Sequence, residues 1–485
     1  MGNQLAQAAE QIKAAERPLA VSHIDTDGIT ALAIVCRMLR RLDKSPIWRN
    51  IHQLNSETIQ DVKKIVTEKN PDIAIFSDLG TGQMPLIVKE LGNLESLNSI
   101  IVLDHHLPKD DAEGYSKRHA NTPIIEVNPC HHDLDGSSDL SGAGTAFLLA
   151  YEVSRGNADL SELAVVGATG DLQRYYGKGF AGVNRKILEV ALESGTVRVD
   201  RDLTFFGINT RPLPFLLEYA TEPYIPGITG NRDAAFEFFE ALGIPVKANE
   251  RWRRWVDLNT EEKQVIIQHL MSLILQAYED SRKAQGIVGD VITLLKRPER
   301  SELRSAKEFS TLLNACGRNR RAEVGVRICL GDQAAYEEGK LLLREHRRNL
   351  ATSIRRIETH GFDERPGMYL VQDSEIQDTI IGIVIGMAQG ARIVPENKPI
   401  IGVTTNTSEK SSLAKLSGRT RRRLVKRGVN LKETFVRCGQ TLNKKYDTLV
   451  VEAGGHPMAA GAFIQPERLD EYLDLVSKDL SRSLS

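Results

Sequence analysis

A short acidic motif near the N-terminus has the side chains best suited to metal chemistry. His23, Asp25 and Asp27 stand at alternate positions in the sequence VSHIDTDG, directly after the apolar residues 19–21. In an extended segment residues two apart share a face, so one imidazole and two carboxylates would project together from the end of a strand. Nitrogen and carboxylate ligands suit Mn2+, Mg2+ or Zn2+, whereas a hydrated polar strand end is the simpler alternative.

Metal-competent side chains also follow two later apolar runs. Residues 73–76 predict a buried strand that leads to Asp78, and residues 99–103 predict another that leads to Asp104, His105 and His106. Continuous apolar runs are typical of a parallel sheet covered on both faces. A lone aspartate after a strand is more often a turn former or a helix cap. Recurrence at the same edge of a sheet favours one shared site.

A fourth apolar run, interpreted as another strand, precedes Asp171. Residues 163–170 (LAVVGATG) are interpreted as another apolar run that ends in a carboxylate, with small residues that allow close backbone packing. Before it, residues 141–145 indicate a loop that leads into a helix over 146–154, whose N-terminus could face a phosphate. Strand 18–22 followed by a helix over 30–42 opens this pattern. The repetition of this strand–helix pattern along the chain predicts an α/β fold with a parallel sheet flanked by helices.

Composition bounds the class of protein. The chain has 485 residues, enough for two or three domains, and its 63 Lys and Arg nearly balance its 64 Asp and Glu, so any site for a polyanion must be local. Five cysteines without CxxC spacing favour a reducing compartment. No stretch approaches 18 uncharged apolar residues, and no secretory signal is recognisable, so we expect a cytoplasmic protein without a membrane partner.

The second half predicts a smaller α/β domain after a long charged helix over 336–361. Its elements are strands 368–371, 399–404 and 411–417 and helices 379–389 and 430–440. Gly454 and Gly455, interpreted as part of a loop, would let backbone N–H groups approach a phosphate, and His456 adds a donor. Arg419 offers a guanidinium suited to bidentate phosphate contact.

A basic run follows Arg419 directly. Residues 420–427 (TRRRLVKR) contain five cations, among them Arg421, Arg422 and Arg423. Such a run is often only a solvated face, but beside the glycine–histidine stretch it favours a track for a nucleic-acid backbone. In the middle of the chain, residues 251–255 (RWRRW) could stack bases, although buried tryptophans with solvated arginines are the favoured alternative. Helices over 233–242, which would bury Phe236 and Phe239, and over 261–281 flank this stretch.

These motifs resemble a known superfamily. SHIDTDG, SDLG, DHH and GATGD, in this order, are similar to the DHH phosphoesterases, and within them to the RecJ-like nucleases. Residues 303–318 (LRSAKEFSTLLNACGR) and 452–461 (EAGGHPMAAG) resemble the RecJ-type core and the glycine–histidine signature of the DHH-associated domain, although Ala453 stands where the family often has a third glycine. The resemblance implies a catalytic domain at 1–200, a helical insertion and core extension at 201–335, a linker helix at 336–362 and a nucleic-acid-binding domain at 363–485.

The resemblance also implies two divalent cations, Mn2+ in preference to Mg2+. One ion would be held by His23, Asp25 and Asp78, and the other by Asp27, Asp78, His105 and Asp171. Asp78 would bridge them. Two such ions can activate a shared water and clamp the oxygens of a phosphodiester. Asp104 is expected to orient an imidazole by a hydrogen bond, and His106 to face the scissile phosphate.

The sequence therefore predicts a two-metal exonuclease for single-stranded DNA, or also RNA, threaded between the domains, in DNA replication or repair. Similarity to archaeal RecJ-like proteins implies either the GINS complex or the helicase Hef as a partner. Small-molecule, nanoRNA or cyclic-dinucleotide phosphodiesterases of the superfamily are one alternative, against which the long middle segment argues. A non-catalytic replisome scaffold is another, for which broken ligand motifs would be expected. No motif indicates cleavage polarity or oligomeric state.

Overall fold

The computed structural model describes residues 1–108, 119–175, 179–220, 225–278, 281–407 and 413–484. The chain divides into two compact units, Met1–Leu343 and Arg344–Ser485. Within the described ranges, no helix is long and apolar enough to cross a membrane.

A five-stranded, all-parallel sheet forms the centre of the first unit, in the order β2-β1-β3-β4-β5. Its strands are β1 (Pro18–His23), β2 (Ile47–Ile51), β3 (Ile73–Ser77), β4 (Ser99–Leu103) and β5 (Ile124–Val127). Ser22 pairs with Ser77 and Ser77 with Leu103, so the carboxyl ends of β1, β3 and β4 lie level at one edge. The predicted α/β class and strand-end placement are confirmed.

Helices cover both faces of this sheet. They are α1 (Gly2–Ala14), α2 (Thr26–Arg40), α3 (Thr58–Lys69), α4 (Met84–Leu91), α5 (Gly142–Val153), α6 (Ser161–Gly170) and α7 (Gly182–Glu193). A two-stranded hairpin, β6 (Arg174–Tyr175) and β7 (Gly179–Phe180), follows α6. Consecutive strand residues face opposite layers: Ile75 packs in the core with α2, α5 and α6, and Phe76 packs in the core with α3 and α4.

The run before Asp171 is helix α6, so its interpretation as a fourth strand end is wrong. A short buried apolar run fits either a strand or a buried helix, and periodicity alone cannot separate the two. The small residues serve helix packing instead. A Cβ atom added at Gly167 would lie 2.5 Å from Ala143 Cβ and 2.5 Å from Thr30 Oγ1. This close approach brings the end of α6, and with it Asp171, against α2 and α5.

Residues 204–287 form an insertion between two paired strands. Antiparallel β8 (Val197–Leu203) and β11 (Val288–Leu294) frame it. Its elements are α8 (Leu213–Glu218), α9 (Arg232–Ala241), β9 (Lys247–Ala248), β10 (Arg251–Trp252), α10 (Thr260–Tyr278) and α11 (Ser281–Gln285), which pack around a core of their own. Beyond β11 follow α12 (Ala306–Arg318), α13 (Ala322–Cys329) and α14 (Gln333–His360), and the boundary between the units falls within α14.

The second unit has a six-stranded mixed sheet in the order β12-β13-β14-β15-β17-β16. Its elements are β12 (Asp363–Arg365), β13 (Met368–Gln372), α15 (Ile381–Gly390), β14 (Ile400–Thr404), β15 (Ala414–Arg419), α16 (Arg422–Val425), α17 (Leu431–Tyr446), β16 (Val451–His456), β17 (Ala459–Ile464) and α18 (Leu469–Leu484). Residues 411–412, the start of one predicted strand, lie outside the described ranges. The glycine–histidine stretch is strand β16, not a loop, because it pairs along β17 from Val451 to His456.

Candidate metal centre

The side chains of the first motif converge through a strand-to-helix turn. His23 ends β1, Asp25 is the N-cap of α2, and Asp27 lies in its first helical turn. The Asp25 carboxylate accepts a hydrogen bond of 3.0 Å from the N–H of Gly28, as expected of an N-cap. The three groups therefore do not share one face of an extended strand, because α2 begins at Thr26, earlier than the predicted helix. The turn directs them toward the same edge of the sheet.

Six side chains from this edge form what we call the metal cluster: His23, Asp25, Asp27, Asp78, His105 and Asp171. They fall into two groups whose ligand atoms lie within 4.8 Å of one another, His23, Asp25 and Asp78 in the first and Asp27, His105 and Asp171 in the second. In the first, His23 Nδ1 is 3.1 Å from Asp25 Oδ2. In the second, His105 Nε2 is 3.7 Å from Asp27 Oδ2 and 3.9 Å from Asp171 Oδ2.

Asp78 connects the two groups. Its Oδ1 lies 3.1 Å from His105 Nε2, and its Oδ2 lies 3.6 Å from His23 Nδ1. The side chain is only 2% exposed, and Oδ2 accepts no hydrogen bond from the part of the chain that the structure describes. A buried carboxylate oxygen without a donor is costly, and a cation at this position would satisfy it. Asp78 also has a φ of 58°, a backbone conformation that is uncommon for residues other than glycine.

The first amides of α5 hold Asp27. Gly142 N–H donates to Asp27 Oδ2 at 2.6 Å, and Ala143 N–H donates to Asp27 Oδ1 at 3.0 Å. The helix begins at Gly142, so the prediction of a later N-terminus facing a phosphate is wrong: these amides fix a cluster carboxylate instead. Gly142 is required for this approach, since a Cβ atom there would lie 2.7 Å from Asp78 Oδ1.

A backbone carbonyl sets the orientation of His105. His105 Nδ1 lies 2.6 Å from Gly136 O, so Nδ1 carries the proton and donates. Its Nε2 lies 3.1 Å from Asp78 Oδ1, and the surrounding carboxylates raise the pKa of His105 well above its usual value. Loss of the Nε2 proton to a bound cation would leave the tautomer that a metal ligand requires. The amide of Gln173 donates to Gly136 O and to Asp171 Oδ2, both at 2.8 Å. Gln173 thus ties two ligand-bearing segments together, and no sequence motif singled it out.

Asp104 orients the neighbouring imidazole. Its Oδ1 accepts a hydrogen bond of 2.7 Å from His106 Nδ1, and its Oδ2 accepts one of 2.9 Å from Thr81 N–H. His106 is 49% exposed, so its ring is accessible to a substrate. Partial burial lowers the pKa of His106, but the charge and hydrogen bond of Asp104 outweigh it and raise that pKa to about 8. Asn128 supports the same turn by donating to His106 O at 2.9 Å.

Mutual repulsion disturbs the ionisation of the cluster carboxylates. Burial, together with the charges of Asp78 and Asp171, raises the pKa of Asp27 well above its usual value. Burial, with the charges of Asp25 and Asp78, raises the pKa of Asp171 to about 6 despite the nearby His105. Carboxylates crowded in a buried site favour a proton or a metal cation among them. This donor set of imidazole and carboxylate without thiolate fits divalent ions such as Mn2+ or Mg2+.

Helix α12 supports the metal cluster from far along the sequence. Asn314 Oδ1 accepts from Thr26 N–H at 3.1 Å, and Ser310 O accepts from the Thr26 hydroxyl at 2.6 Å. Gly317 lies so close to the turn that an added Cβ atom would be 2.0 Å from Ile24 O. Burial would raise the pKa of Asp25, but His23, the N–H of Gly28 and Arg318 hold it well below its usual range. The sequence resemblance places residues 303–318 in a RecJ-type core, but no sequence pattern links them to the metal ligands.

In the second unit, three paired residues form what we call the arginine–histidine row: Arg419, Ala459 and His456. Ala459 pairs with Arg419 on one side and with His456 on the other, so the three side chains share one face of the sheet. His456, Gly454 and Gly455 are exposed, and a Cβ atom at Gly454 would meet nothing within 4 Å.

Part of the basic run beside the row is neutralised. Arg421 Nη2 lies 2.7 Å from Glu396 Oε1, and Arg423 Nη2 lies 3.8 Å from Glu396 Oε2. Arg422 and Arg423 are exposed, as a solvated face requires. The run therefore offers less net positive charge than its sequence indicates.

Three family models match the chain. They are the DHH family N-terminal domain over residues 19–170, the DHH-CID domain over residues 205–288 and the DHHA1 domain over residues 367–482. An uncharacterized protein of Methanocaldococcus jannaschii is 29% identical over 466 residues, which cover 96% of this chain and 93% of that protein.

Solved structures share the fold at lower identity. RecJ of Thermus thermophilus in complex with Mn2+ superposes with a TM-score of 0.58 at 18% identity over 99% of this chain, which spans 55% of the length of that RecJ. An exonuclease RecJ bound to manganese matches with a TM-score of 0.54 at 18% identity, covering 99% of this chain and 94% of its own. CDC45 of Entamoeba histolytica matches with a TM-score of 0.62 at 12% identity, covering 99% and 97%.

Proposed function

Because this chain belongs to the DHH superfamily and has a RecJ-like fold, we propose that it is a metal-dependent phosphodiesterase that degrades single-stranded nucleic acid as an exonuclease. The observation that carries the proposal is Asp78. One of its oxygens faces His105 and the other faces His23, which is the arrangement a carboxylate needs to bridge two cations. The buried Oδ2 atom, which accepts no hydrogen bond in the described ranges, supports the same role.

Two groups of ligands divide the proposed metal site. His23 and Asp25 would complete one position with Asp78, and Asp27, His105 and Asp171 would complete the other. Two divalent cations supply a water of lowered pKa and a clamp for the oxygens of the phosphodiester. Imidazole ligands favour Mn2+ over Mg2+. RecJ of Thermus thermophilus, which shares this fold, has been solved in complex with Mn2+ and with Mg2+, which supports either ion here.

His106 is the proposed contact to the scissile phosphate. Asp104 accepts the Nδ1 hydrogen bond, so a protonated His106 would present its Nε2–H to an anionic phosphate oxygen. The charge of Asp104 and its hydrogen bond, which raise the pKa of His106 to about 8 in the metal-free protein, favour retention of that proton. Arg318, which acts electrostatically on Asp25, adds a positive charge near the first group of ligands.

The second unit is proposed to bind the polymer. The exposed glycines of β16 leave backbone accessible, and Arg419 and His456 supply two donors on one face. A single strand of DNA, or also RNA, would suit this row because cationic and N–H donors would contact phosphates rather than base edges. Arg421, Arg422 and Arg423 would extend the track. Association with a replication or repair partner such as GINS or Hef stays a prediction of the sequence resemblance.

Two alternatives make different predictions. A small-molecule phosphodiesterase would cleave short substrates as well as long ones and would not need the arginine–histidine row. A non-catalytic scaffold would lack the cations, and the intact metal cluster argues against it. The proposed exonuclease needs both the metal cluster and the row.

Hydrolysis of an end-labelled oligonucleotide in Mn2+ tests the proposal and reports the polarity from the order of products. We expect Asp78→Asn to lower turnover by at least about three orders of magnitude, because both cations lose a shared ligand. Asparagine tolerates the positive φ at this position, so the fold should be retained. Asp61→Asn, an exposed carboxylate on α3, is the matched control and should retain full turnover. More than about a tenth of wild-type turnover in Asp78→Asn would overturn the two-metal assignment.

A further inference from the structure

Four aromatic rings form a surface cluster in the inserted segment, remote in sequence from the metal cluster. We call it the aromatic cluster: Phe215, Tyr219, Phe236 and Trp252. The Phe215 ring lies 6.3 Å from Tyr219, 6.2 Å from Phe236 and 5.8 Å from Trp252, measured between centroids. Tyr219 is 48% exposed and Trp252 is 38% exposed, whereas Phe215 and Phe236 are half-buried beneath them. Two accessible rings thus rest on an aromatic base.

A tight hairpin presents Trp252. Strands β9 and β10 pair through only two residue pairs, and the turn residues Asn249 and Glu250 both have positive φ, 48° and 65°. Positive φ at both central residues is the geometry of a type I′ turn, which joins strands in a two-residue hairpin. Trp255, three residues later, is 1% exposed and donates to Asp202 Oδ1 at 2.9 Å. The prediction that both tryptophans are core holds for Trp255 and is wrong for Trp252.

Cations surround these rings. Lys247 pairs with Trp252 across the hairpin, and its Nζ lies 4.6 Å from the ring centroid. Arg211 lies 5.4 Å from the Tyr219 ring, and Arg232 lies 5.4 Å from the Phe215 ring. These contacts are within the range of cation–π attraction. Positive charge is therefore concentrated where aromatic surface is accessible.

The positive charge is only partly compensated. Arg232 pairs with Glu218 at 3.4 Å. Lys247 and Arg251, which flank the hairpin turn, form no ion pair with a carboxylate in the described ranges. Glu250 at the turn is the nearest acidic residue along the sequence. Helix α9, which carries Phe236, also has the exposed carboxylates Asp233 and Glu237. Lys247 and Arg251 therefore provide cations beside the stacking surface that no carboxylate in the described ranges pairs with.

We infer that the aromatic cluster is a second contact surface for single-stranded nucleic acid, on which bases stack on Tyr219 and Trp252 while Lys247 and Arg251 neutralise the adjoining phosphates. This inference rests on the proposed function and extends it, because it assigns strand binding to the inserted segment. Stacking on accessible aromatic rings beside cations is how proteins hold single strands without reading their sequence.

Binding of a fluorescently labelled oligothymidylate in EDTA, followed by anisotropy, tests the inference without hydrolysis. The variant Tyr219→Ala with Trp252→Ala should bind at least about tenfold more weakly, because each stacked base contributes about 1–3 kcal/mol. Leu275→Ala is the matched control, since Leu275 is 46% exposed in the same segment and lies outside the cluster. It should bind like the wild type.

A second variant removes the two cations of the surface and leaves the aromatic rings in place. Lys247→Ala with Arg251→Ala should make the dependence of log affinity on log salt shallower, by about 0.7 for each lost phosphate contact. Oligothymidylate affinity and salt dependence equal to wild type in both double variants would overturn the inference, and binding of an acidic protein by the same surface would then be the alternative.

The inference and the proposed function fail in distinguishable ways. If the wild type binds strands through the cluster but cleaves none in Mn2+, the exonuclease proposal fails and the binding surface stands. If cleavage of a short phosphodiester and of long strands is unchanged in the ring variant, and its affinity is unchanged too, the surface is excluded and the exonuclease proposal stands.

Discussion

The metal cluster of the first unit and the arginine–histidine row of the second differ in how their polar groups are held. Cluster atoms are mostly buried and fixed by other protein groups: Asp27 by two amides of α5, and His105 by Gly136 O. The row is open, with His456 exposed beside glycines. Electrostatic interactions are strong and geometrically demanding where water is excluded, and weak where it is not.

This difference suits the metal cluster to catalysis and the arginine–histidine row to binding of the strand. A buried set of oriented ligands holds cations at fixed positions and tolerates no loss of a member. A row with a partly exposed Arg419 and an exposed His456 can bind successive phosphates of a strand and release them, which an exonuclease must do after each cleavage. Substitutions in the cluster should therefore affect every substrate, and substitutions in the row should affect only long ones.

The largest expected effect separates a ligand from the residue beside it. His105→Ala should lower turnover by at least about three orders of magnitude on long and short substrates alike, because a ligand of one cation is lost. Asp104→Ala should lower turnover by only about 10–100-fold, since Asp104 acts by orienting His106. Steady-state kinetics with metal content measured directly would check both. Equal and complete loss in the two variants, with metal lost from both, would make Asp104 a ligand.

The pH dependence of metal affinity tests whether the crowded carboxylates are metal ligands. Asp171, whose pKa is raised to about 6, is protonated below that pH in the metal-free protein and must lose the proton to bind a cation. His23 and His105, whose pKa values the nearby carboxylates raise well above their usual values, must lose protons as well, so Mn2+ affinity should fall with falling pH by more than about tenfold per pH unit. Calorimetric titration between pH 5 and 8 measures this. A pH-independent affinity would place Asp171 outside the metal site.

Loss of the arginine–histidine row should have a smaller and selective effect. Arg419→Ala with His456→Ala should raise KM for a long oligonucleotide by about tenfold or more, because two charge-assisted phosphate contacts are removed. Turnover of a small activated phosphodiester should stay within about twofold of wild type. Comparable losses on both substrates would instead indicate that these residues belong to the reaction centre.

The smallest expected effect concerns the basic run. Arg422→Ala should make the salt dependence of strand binding shallower by about 0.7, whereas Arg421→Ala should change it less, because Glu396 already pairs with Arg421. Glu396→Gln should make the salt dependence of strand binding steeper, because Arg421 would lose its ion pair with Glu396 and could contact a phosphate. If the salt dependence of strand binding is identical in all three variants and the wild type, the basic run is a solvated face that does not contact the strand.

The local sequence pattern was sufficient to predict the strands whose ends carry the site. It was insufficient to predict the helix that supplies Asp171. Apolar runs that end in His23, Asp78 and His105 could be recognised because continuous buried strands have a distinctive composition. The interpretation of the run before Asp171 as a strand is wrong, since a short apolar stretch fits a strand or a helix equally well. Its true state depends on packing against α2 and α5.

Long-range supports of the site were beyond any local pattern. Thr26 bonds to Asn314 and Ser310, which lie more than 280 positions away, and the Gly136 carbonyl that fixes His105 has no side chain to mark it. The exposure of Trp252 and the burial of Trp255 likewise depend on the hairpin and the insert core rather than on residue type.

The number of cations bound by the chain tests the central claim most directly. Equilibrium dialysis with Mn2+, combined with electron paramagnetic resonance, counts the ions and reports whether they are coupled. We expect two Mn2+ per chain with a spin-coupled spectrum in the wild type, and loss of the coupled signal in Asp78→Asn, because one oxygen of Asp78 faces His23 and the other faces His105. A single uncoupled ion in the wild type, or an unchanged coupled pair in Asp78→Asn, would contradict the bridging role of Asp78.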